Sequence, residues 1–187
     1  DLPKMWKDMA DLGWLGVNIP EEYGGSGMGF FFLTVIAEQT GKALLPAPFL
    51  ETATVAEAIV QGGSDVQKQA YLPRIAAGEL IATVAIDEPE GFWTADAIRT
   101  QAVREGDGYR VTGTKLFVPY ARAAGLILCA VRTGGAAEEG VTLLLIDPKA
   151  QGVTAEDMPI MDETYRLCEL KLDGVVVPAA NVLGQEG

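Results

Sequence analysis

The spacing of apolar residues changes once along this chain, near residue 80, and this change constrains the fold more than any other feature. Before it, apolar side chains recur at helical spacing, as Trp6 and Met9 illustrate. From Ile81 onward they alternate with a period of two, and Gly, Pro and Asp punctuate the runs. Helices followed by many short strands predict an α+β chain. We expect an all-helical domain over residues 1–80 and an antiparallel β-barrel or sandwich over 81–187.

Several helices are predicted in the first part. The helix predicted at 30–44 is apolar nearly all round, so it is expected to be buried. Ser64 precedes an apolar-periodic run as an N-cap, and Pro73 is expected to end that helix. The Gly-Gly-Ser-Gly run at 24–27 predicts a flexible loop. The predicted helices are one that carries Trp6 and Met9 and ends at 13–16, then 30–44, 49–60 and 64–73.

Strands are predicted throughout the second part, from its period-two pattern and its turn residues. Cys129 and Cys168 lie in apolar, strand-like runs, where buried reduced thiols are expected rather than a disulfide or metal ligands. Reduced thiols fit a reducing compartment, and we expect the cytoplasm. The predicted strands are 81–86, 98–104, 109–112, 115–118, 126–131, 141–146 and 169–172.

Composition limits the classes of protein to which the chain can belong. Its 187 residues are 49% apolar, which is ample for a packed core. A mean hydropathy of +0.19 is high for a chain with 26 acidic residues, which indicates apolar surface that something else covers. The longest apolar runs are far shorter than the roughly 20 residues that span a bilayer, so no membrane span is predicted. The start Asp1-Leu2-Pro3-Lys4 lacks an initiator Met and a signal pattern, so we expect the natural N-terminus to lie upstream.

The charged and titratable residues exclude several kinds of function. A net charge of -12 argues against nucleic acid as a partner, because phosphate contacts need clustered Lys and Arg. The sequence has no His, which excludes His-based triads, imidazole bases and nearly all zinc sites within this chain. Any chemistry must therefore use carboxylates, a cofactor or residues from outside this segment.

Two short signatures stand at the start of the β part. Residues 85–89 read Ala-Ile-Asp-Glu-Pro, and residues 113–121 read Gly-Thr-Lys-Leu-Phe-Val-Pro-Tyr-Ala. They resemble the opening of the middle β-domain of the acyl-CoA dehydrogenase family. The resemblance extends over nearly the whole chain, to the helical-domain loop at 12–27, the helix at 71–79 and the exit of the β-domain at 172–184.

This resemblance implies an oxidoreductase of fatty acid and lipid metabolism. In the family, FAD accepts a hydride from the β-carbon of an acyl-CoA thioester while a Glu carboxylate removes the α-proton. That Glu belongs to a C-terminal four-helix domain, which we expect to lie outside this chain, so no catalytic residue is assigned here. The implied partners are an acyl-CoA substrate and further subunits of a homo- or hetero-oligomer, a dimer or tetramer. Arg99, Lys115 and Arg122 are candidates to hold CoA because they are basic and lie in or near the signatures.

The resemblance also assigns cofactor-binding positions. Phe117 falls on the ring that stacks beside the flavin, and Ile86 lies in the first signature. Asp87 falls on a Thr that donates a hydrogen bond to the pyrimidine edge of the flavin. Pro119 falls on a Thr that reaches the flavin atom N5. Trp93 falls on a Ser near the pyrophosphate of FAD. The hydroxyl of the neighbouring Thr94 could replace the missing Ser hydroxyl. The predicted FAD contacts are thus Ile86, Asp87, Trp93, Thr94, Phe117 and Pro119.

Three of the four contacts transferred one by one differ from the family's residue types. An ionised Asp87 would replace a hydrogen bond worth roughly 0.5–1.5 kcal/mol. The repulsion from reduced flavin would cost about 4 kcal/mol at about 4 Å and an effective dielectric of about 20. Pro119 has no N–H to offer. Two alternatives therefore stand beside an FAD-dependent dehydrogenase. One is a catalytically silent, FAD-poor subunit of a heteromeric acyl-CoA dehydrogenase, and the other is a flavin monooxygenase or nitroalkane-oxidase-like enzyme on the same fold.

Each of these residues also has an ordinary structural interpretation. Asp87 could be a solvated strand end or a local turn acceptor. Trp93 and Phe117 could be core or interface packing. Pro119 could do no more than end a strand.

Overall fold

The computed structural model describes residues 2–91, 94–135, 139–162 and 164–187. The chain divides into two compact units. The helical unit is Asp1–Ala82 together with Asp162–Tyr165, and the β unit is Thr83–Met161 together with Arg166–Gly187. The α+β fold class is confirmed, because helices precede a mostly antiparallel sheet. The sequence did not predict that a four-residue segment of the second half belongs with the helices.

The helical unit contains four α-helices in its described part. The start of α4 confirms the predicted cap, since Ser64 Oγ accepts from the Gln67 N–H at 3.3 Å and Gln67 Oε1 accepts from the Ser64 N–H at 3.0 Å. The predicted end near Pro73 is wrong. The helix continues to Ala76, and Ile75 in this extension is fully buried, which holds the last turn in place. The helices are α1 (Leu2–Asp11), α2 (Phe30–Lys42), α3 (Phe49–Gly62) and α4 (Asp65–Ala76).

Helix α2 is not the buried helix that its composition predicts. Leu33 is buried in the helical core, but Phe31 is 74% exposed and the neighbouring apolar side chains are also exposed. A helix that is apolar all round is buried only when something covers every side. Within the described residues only one side of α2 is covered. The exposed apolar side chains of α2 are Phe30, Phe31, Phe32 and Val35.

The loop predicted at 24–27 is present, and backbone contacts hold it in place. The Ser26 N–H donates to the Gly16 carbonyl at 2.8 Å, and the Gly27 N–H donates to the Ile19 carbonyl at 2.9 Å. A Cβ at Gly25 would collide with the carbonyl of Ile19, so only glycine allows the chain to approach so closely there.

The strands form one sheet in the order β6-β7-β3-β2-β4-β5-β8, with β1 paired to β4. The recorded pairings are antiparallel except for β2 and β4, which meet at the single parallel pair Gln101 and Arg132. The eight strands of the described residues are β1 (Ala82–Ala85), β2 (Gln101–Glu105), β3 (Gly108–Pro119), β4 (Leu126–Arg132), β5 (Val141–Ile146), β6 (Val153–Asp157), β7 (Leu167–Pro178) and β8 (Val182–Leu183).

The sequence pattern locates most of these strands and misses two. The strands predicted at 109–112 and 115–118 are parts of the single long strand β3, since Gly113 fits the ladder opposite Leu172 of β7. Strand β6 was not predicted because its residues are half-buried or exposed and carry little alternation. Strand β8 is only two residues long.

Both cysteines are free and buried, in β4 and β7, as the sequence predicts. They lie in the core of the β unit, between the inward-facing residues of the long strands. Over the described residues, no helix is both long enough and apolar enough to cross a membrane.

Candidate functional site

A β-bulge in β3 turns Phe117 out of the core. Lys115 pairs with Leu170 and Val118 with Cys168, so β3 advances by three residues where β7 advances by two. Lys115 and Val118 are both buried, whereas Phe117 is 48% exposed. Phe117 has a φ of +54°, in the left-handed region that residues other than glycine rarely adopt. Its interpretation as core packing is therefore wrong, because the extra residue shifts its side chain to the outer face.

Phe117 faces an open pocket of about 420 Å³ that residues at the ends of β1 and β3 line. This volume lies within the range of about 300–1,000 Å³ that is usual for small-molecule sites. Four of the six residues predicted to contact a cofactor lie around this one pocket, although they come from two signatures about 30 positions apart. The described lining residues are Val84, Ile86, Asp87, Leu116, Phe117 and Pro119.

The backbone ties the two sides of this pocket together. The Leu116 N–H donates to the Asp87 carbonyl at 2.9 Å. The Pro119 carbonyl accepts from Thr83 Oγ1 at 2.5 Å, and β3 ends at Pro119. The Asp87 carboxylate is half-buried and has no hydrogen-bond donor within the described residues. Its interpretation as a local turn acceptor therefore gains no support.

Two predicted cofactor contacts remain, Trp93 and Thr94. Trp93 lies outside the described residues. Thr94 is exposed and precedes a short 3-10 turn, Ala95–Ala97, where its carbonyl accepts from the Ala97 N–H at 2.9 Å. Thr94 is not among the described lining residues of the pocket.

Two residues next to the lining residues in sequence form a buried ion pair, which the sequence did not predict. Lys115 Nζ is 2.6 Å from Glu88 Oε1, with side-chain exposures of 0% and 5%. The same ammonium donates to the Ile86 carbonyl at 3.1 Å. The expectation that Lys115 holds CoA is therefore wrong, because a fully buried side chain cannot meet it. Glu88 lies in the first signature and Lys115 in the second. The presence of one opposite charge in each signature was the sequence feature that could have predicted the pair.

The Glu88 carboxylate also binds the segment that leads into β2. Its Oε2 accepts from the Arg99 N–H at 2.6 Å, and its Oε1 accepts from the Thr100 N–H at 2.9 Å. Burial raises the pKa of Glu88, but the hydrogen bonds from Lys115 and from the Thr100 backbone outweigh it, so the pKa lies below its ordinary value. The carboxylate is thus ionised at neutral pH despite its burial.

The other two basic candidates lie on the surface of the β unit. Arg122 pairs with Asp157 at 2.5 Å, with both side chains more than half exposed. The Arg99 guanidinium donates to the backbone carbonyls of Asp96 and Ile98. Their role toward CoA stays a prediction.

The helical unit has a smaller pocket of about 200 Å³ beside Glu51. Tyr165 donates a short hydrogen bond to Glu51 Oε1, and Glu51 Oε2 is buried without a partner in the described part of the chain. Burial raises the pKa of the Glu51 carboxyl, and the Tyr165 hydrogen bond offsets this only in part. Among the described residues no cluster of acidic residues and cysteines could hold a metal ion.

Comparison with known proteins places the whole chain in one family. Residues 1–79 match the model of the acyl-CoA dehydrogenase N-terminal domain, and residues 83–175 match that of the acyl-CoA dehydrogenase middle domain. Acyl-CoA dehydrogenase FadE26 of Mycobacterium tuberculosis is 34% identical over 183 residues, which are 95% of this chain and 46% of that protein.

Solved structures agree with this placement. The acyl-CoA dehydrogenase from Geobacillus kaustophilus matches with a TM-score of 0.88 and 30% identity, over 98% of this chain and 50% of that one. The ChsE4-ChsE5 complex from Mycobacterium tuberculosis matches with a TM-score of 0.87 and 33% identity, over 98% of this chain and 48% of that one. The chain spans about half the length of these relatives. The two domain models follow one another over nearly all of its residues, and the chain therefore belongs to the acyl-CoA dehydrogenase family.

Proposed function

We propose that this chain forms the helical and middle-domain part of an FAD-dependent acyl-CoA dehydrogenase, and that its β-unit pocket faces the flavin ring. One observation carries the proposal: the bulge in β3 presents Phe117 on a pocket that the first signature also lines. Non-glycine residues in the left-handed region are strained, and such strain is concentrated at functional sites.

The apolar walls of the pocket support a flat aromatic ligand. About half of the Phe117 side chain is exposed and can contact a ligand. Ile86, which is 47% exposed, adds a second apolar wall. Aromatic rings pack against each other in offset or edge-to-face arrangements, which contribute about 0.5–1.5 kcal/mol beyond area burial. An isoalloxazine ring is planar and largely apolar on its faces, so these walls suit it.

The polar groups of the pocket fit the ring only in part. Asp87 offers only carboxyl oxygens, and Pro119 offers no N–H and has a carbonyl that already accepts from Thr83. None of the described lining side chains is therefore a hydrogen-bond donor. The ring's acceptor atoms would therefore be served by backbone N–H groups.

In this proposal the chain's own residues bind and orient the cofactor. Phe117 and Ile86 exclude water from one side of the ring, and the acidic Asp87 favours an uncharged ring over an anionic one. When bound, FAD supplies the hydride acceptor for α,β-desaturation of an acyl-CoA thioester.

The proposed activity is tested by adding a panel of acyl-CoA thioesters, without oxygen, to the purified full-length protein reconstituted with FAD. Loss of the flavin's visible absorbance with at least one thioester is the expected result. Retention of that absorbance with every thioester would overturn the proposed activity. If a substrate without CoA is then turned over in the presence of oxygen, the monooxygenase or nitroalkane-oxidase alternative gains.

The second candidate function is a silent subunit of a heteromeric acyl-CoA dehydrogenase. The acidic Asp87 and the donor-less Pro119 favour it, because both reduce the pocket's ability to hold flavin. One of the similar structures is a two-component complex, ChsE4-ChsE5. This candidate predicts that the purified chain retains no flavin after FAD is added, while a co-purifying subunit does.

A further inference from the structure

The buried Lys115 joins three segments of the β unit through one polar network. Its ammonium contacts Glu88 Oε1 at 2.6 Å and the Ile86 carbonyl at 3.1 Å. Glu88 in turn accepts hydrogen bonds from the backbone N–H groups of Arg99 and Thr100. The first signature, the approach to β2 and the middle of β3 thus share one buried polar network.

We infer that Lys115 and Glu88 are positioning residues for the pocket, which hold its two walls at a fixed separation. Ile86 and Asp87 directly precede Glu88, and Leu116 and Phe117 directly follow Lys115, so each charged residue anchors one wall. The Asp87 carbonyl and the Leu116 N–H, 2.9 Å apart, form the outer link between these walls. As an account of flavin binding the inference rests on the proposed function, but the positioning itself does not.

Stability alone is a poor explanation for this pair. The desolvation of two charges cancels much of the free energy that their attraction provides. Apolar residues of similar volume can often replace a buried ion pair without loss of folding stability. The pair does something that an apolar pair cannot do, since the ammonium also fixes the carbonyl of Ile86. Lys115 can donate three hydrogen bonds, and two of them reach the first signature.

The geometry of the bulge adds to the need for such an anchor. Phe117, two residues after Lys115, has a positive φ, and the next ladder pair is Val118 with Cys168. A bulge with a strained residue persists only when its surroundings determine it fully. Lys115, held by the ion pair, lies before the bulge, and Val118, paired with Cys168, lies after it. Together they hold the bulge in its conformation.

The test uses the double variant Glu88→Gln with Lys115→Met, because the single variant Lys115→Met would leave a buried carboxylate without its counter-charge. The readout is amide hydrogen exchange of Leu116, whose N–H donates to Asp87. We expect it to exchange at least tenfold faster in the double variant, with amides of β4 and β5 unchanged. The single variant Glu88→Gln keeps an oxygen for Lys115, and an intermediate rate is expected.

The matched control removes an exposed pair of the same sheet, Glu105 and Arg110, by Glu105→Gln with Arg110→Met. Its Leu116 exchange should equal that of the wild type. Equal Leu116 exchange in the wild type, Glu88→Gln and the double variant would overturn the inference.

Titration with FAD separates this inference from the proposed function. If the wild type binds FAD, the double variant should bind it about tenfold more weakly, and equal affinity would count against positioning. If the wild type binds no FAD but the graded exchange of Leu116 is seen, the positioning role stands and the flavin proposal fails.

Discussion

Replacement of Phe117 by glycine and by alanine tests whether the bulge stores backbone strain. Both variants remove the ring, and they differ mainly in what the left-handed φ of +54° costs. A left-handed conformation costs roughly 1–2 kcal/mol for a residue with a Cβ. Glycine loses about 0.4–1 kcal/mol to its greater freedom in the unfolded state. The difference predicts that Phe117→Gly is more stable than Phe117→Ala by about 1 kcal/mol.

Thermal or urea unfolding, followed by circular dichroism, measures this difference. For a chain of this size about 1 kcal/mol corresponds to about 2–4 °C in Tm. Val103 is the control, since it is 61% exposed in β2 and lies outside the positive-φ positions. There the order should reverse, with the glycine variant less stable than the alanine variant by about 0.5–1 kcal/mol. Phe117→Ala as stable as Phe117→Gly, with the Val103 order as expected, would refute stored strain at the bulge.

The remaining predictions concern the helical unit and the cysteines. Because the folded pKa of Glu51 is raised above its unfolded value, the wild type should lose stability as the pH rises from about 4 through that folded pKa. Glu51→Gln should not show this loss, and parallel pH profiles of Tm for the two proteins would contradict the reasoning. Ser64→Ala should cost about 1 kcal/mol in urea unfolding, because the Gln67 N–H loses its acceptor, and an unchanged midpoint would exclude that cap energy. Burial raises the pKa of Cys129 to about 11 and also raises that of Cys168, so neither thiol should react with a thiol reagent at neutral pH until the protein is denatured; rapid labelling of the native protein would disagree.

Local patterns sufficed for the features that depend on near neighbours in sequence. The α+β order follows from the change of period near residue 80, and the cap of α4 follows from Ser64 and Gln67, which are three residues apart. The exposure of Phe31 could not be predicted, because periodicity shows which residues are apolar and not what covers them.

The site depends on contacts that local patterns do not encode. The bulge at Phe117 appears only when β3 is aligned with β7, some 50 residues later, where Cys168 opposes Val118. Lys115 is a candidate for CoA by sequence because it is basic and lies in the second signature. Its counter-charge, Glu88, lies 27 positions away, and only the folded chain brings the two together.

The pocket beside Phe117 is proposed to be the surface that faces the flavin ring. The most direct test is equilibrium titration of the protein with FAD, followed by quenching of flavin fluorescence, in the wild type, Phe117→Ala and the control Val103→Ala. We predict one FAD per chain for the wild type and the control, and about tenfold weaker binding, or about 1.4 kcal/mol, for Phe117→Ala. Equal affinity of Phe117→Ala and the wild type, or no binding of FAD by the wild type, would contradict the account.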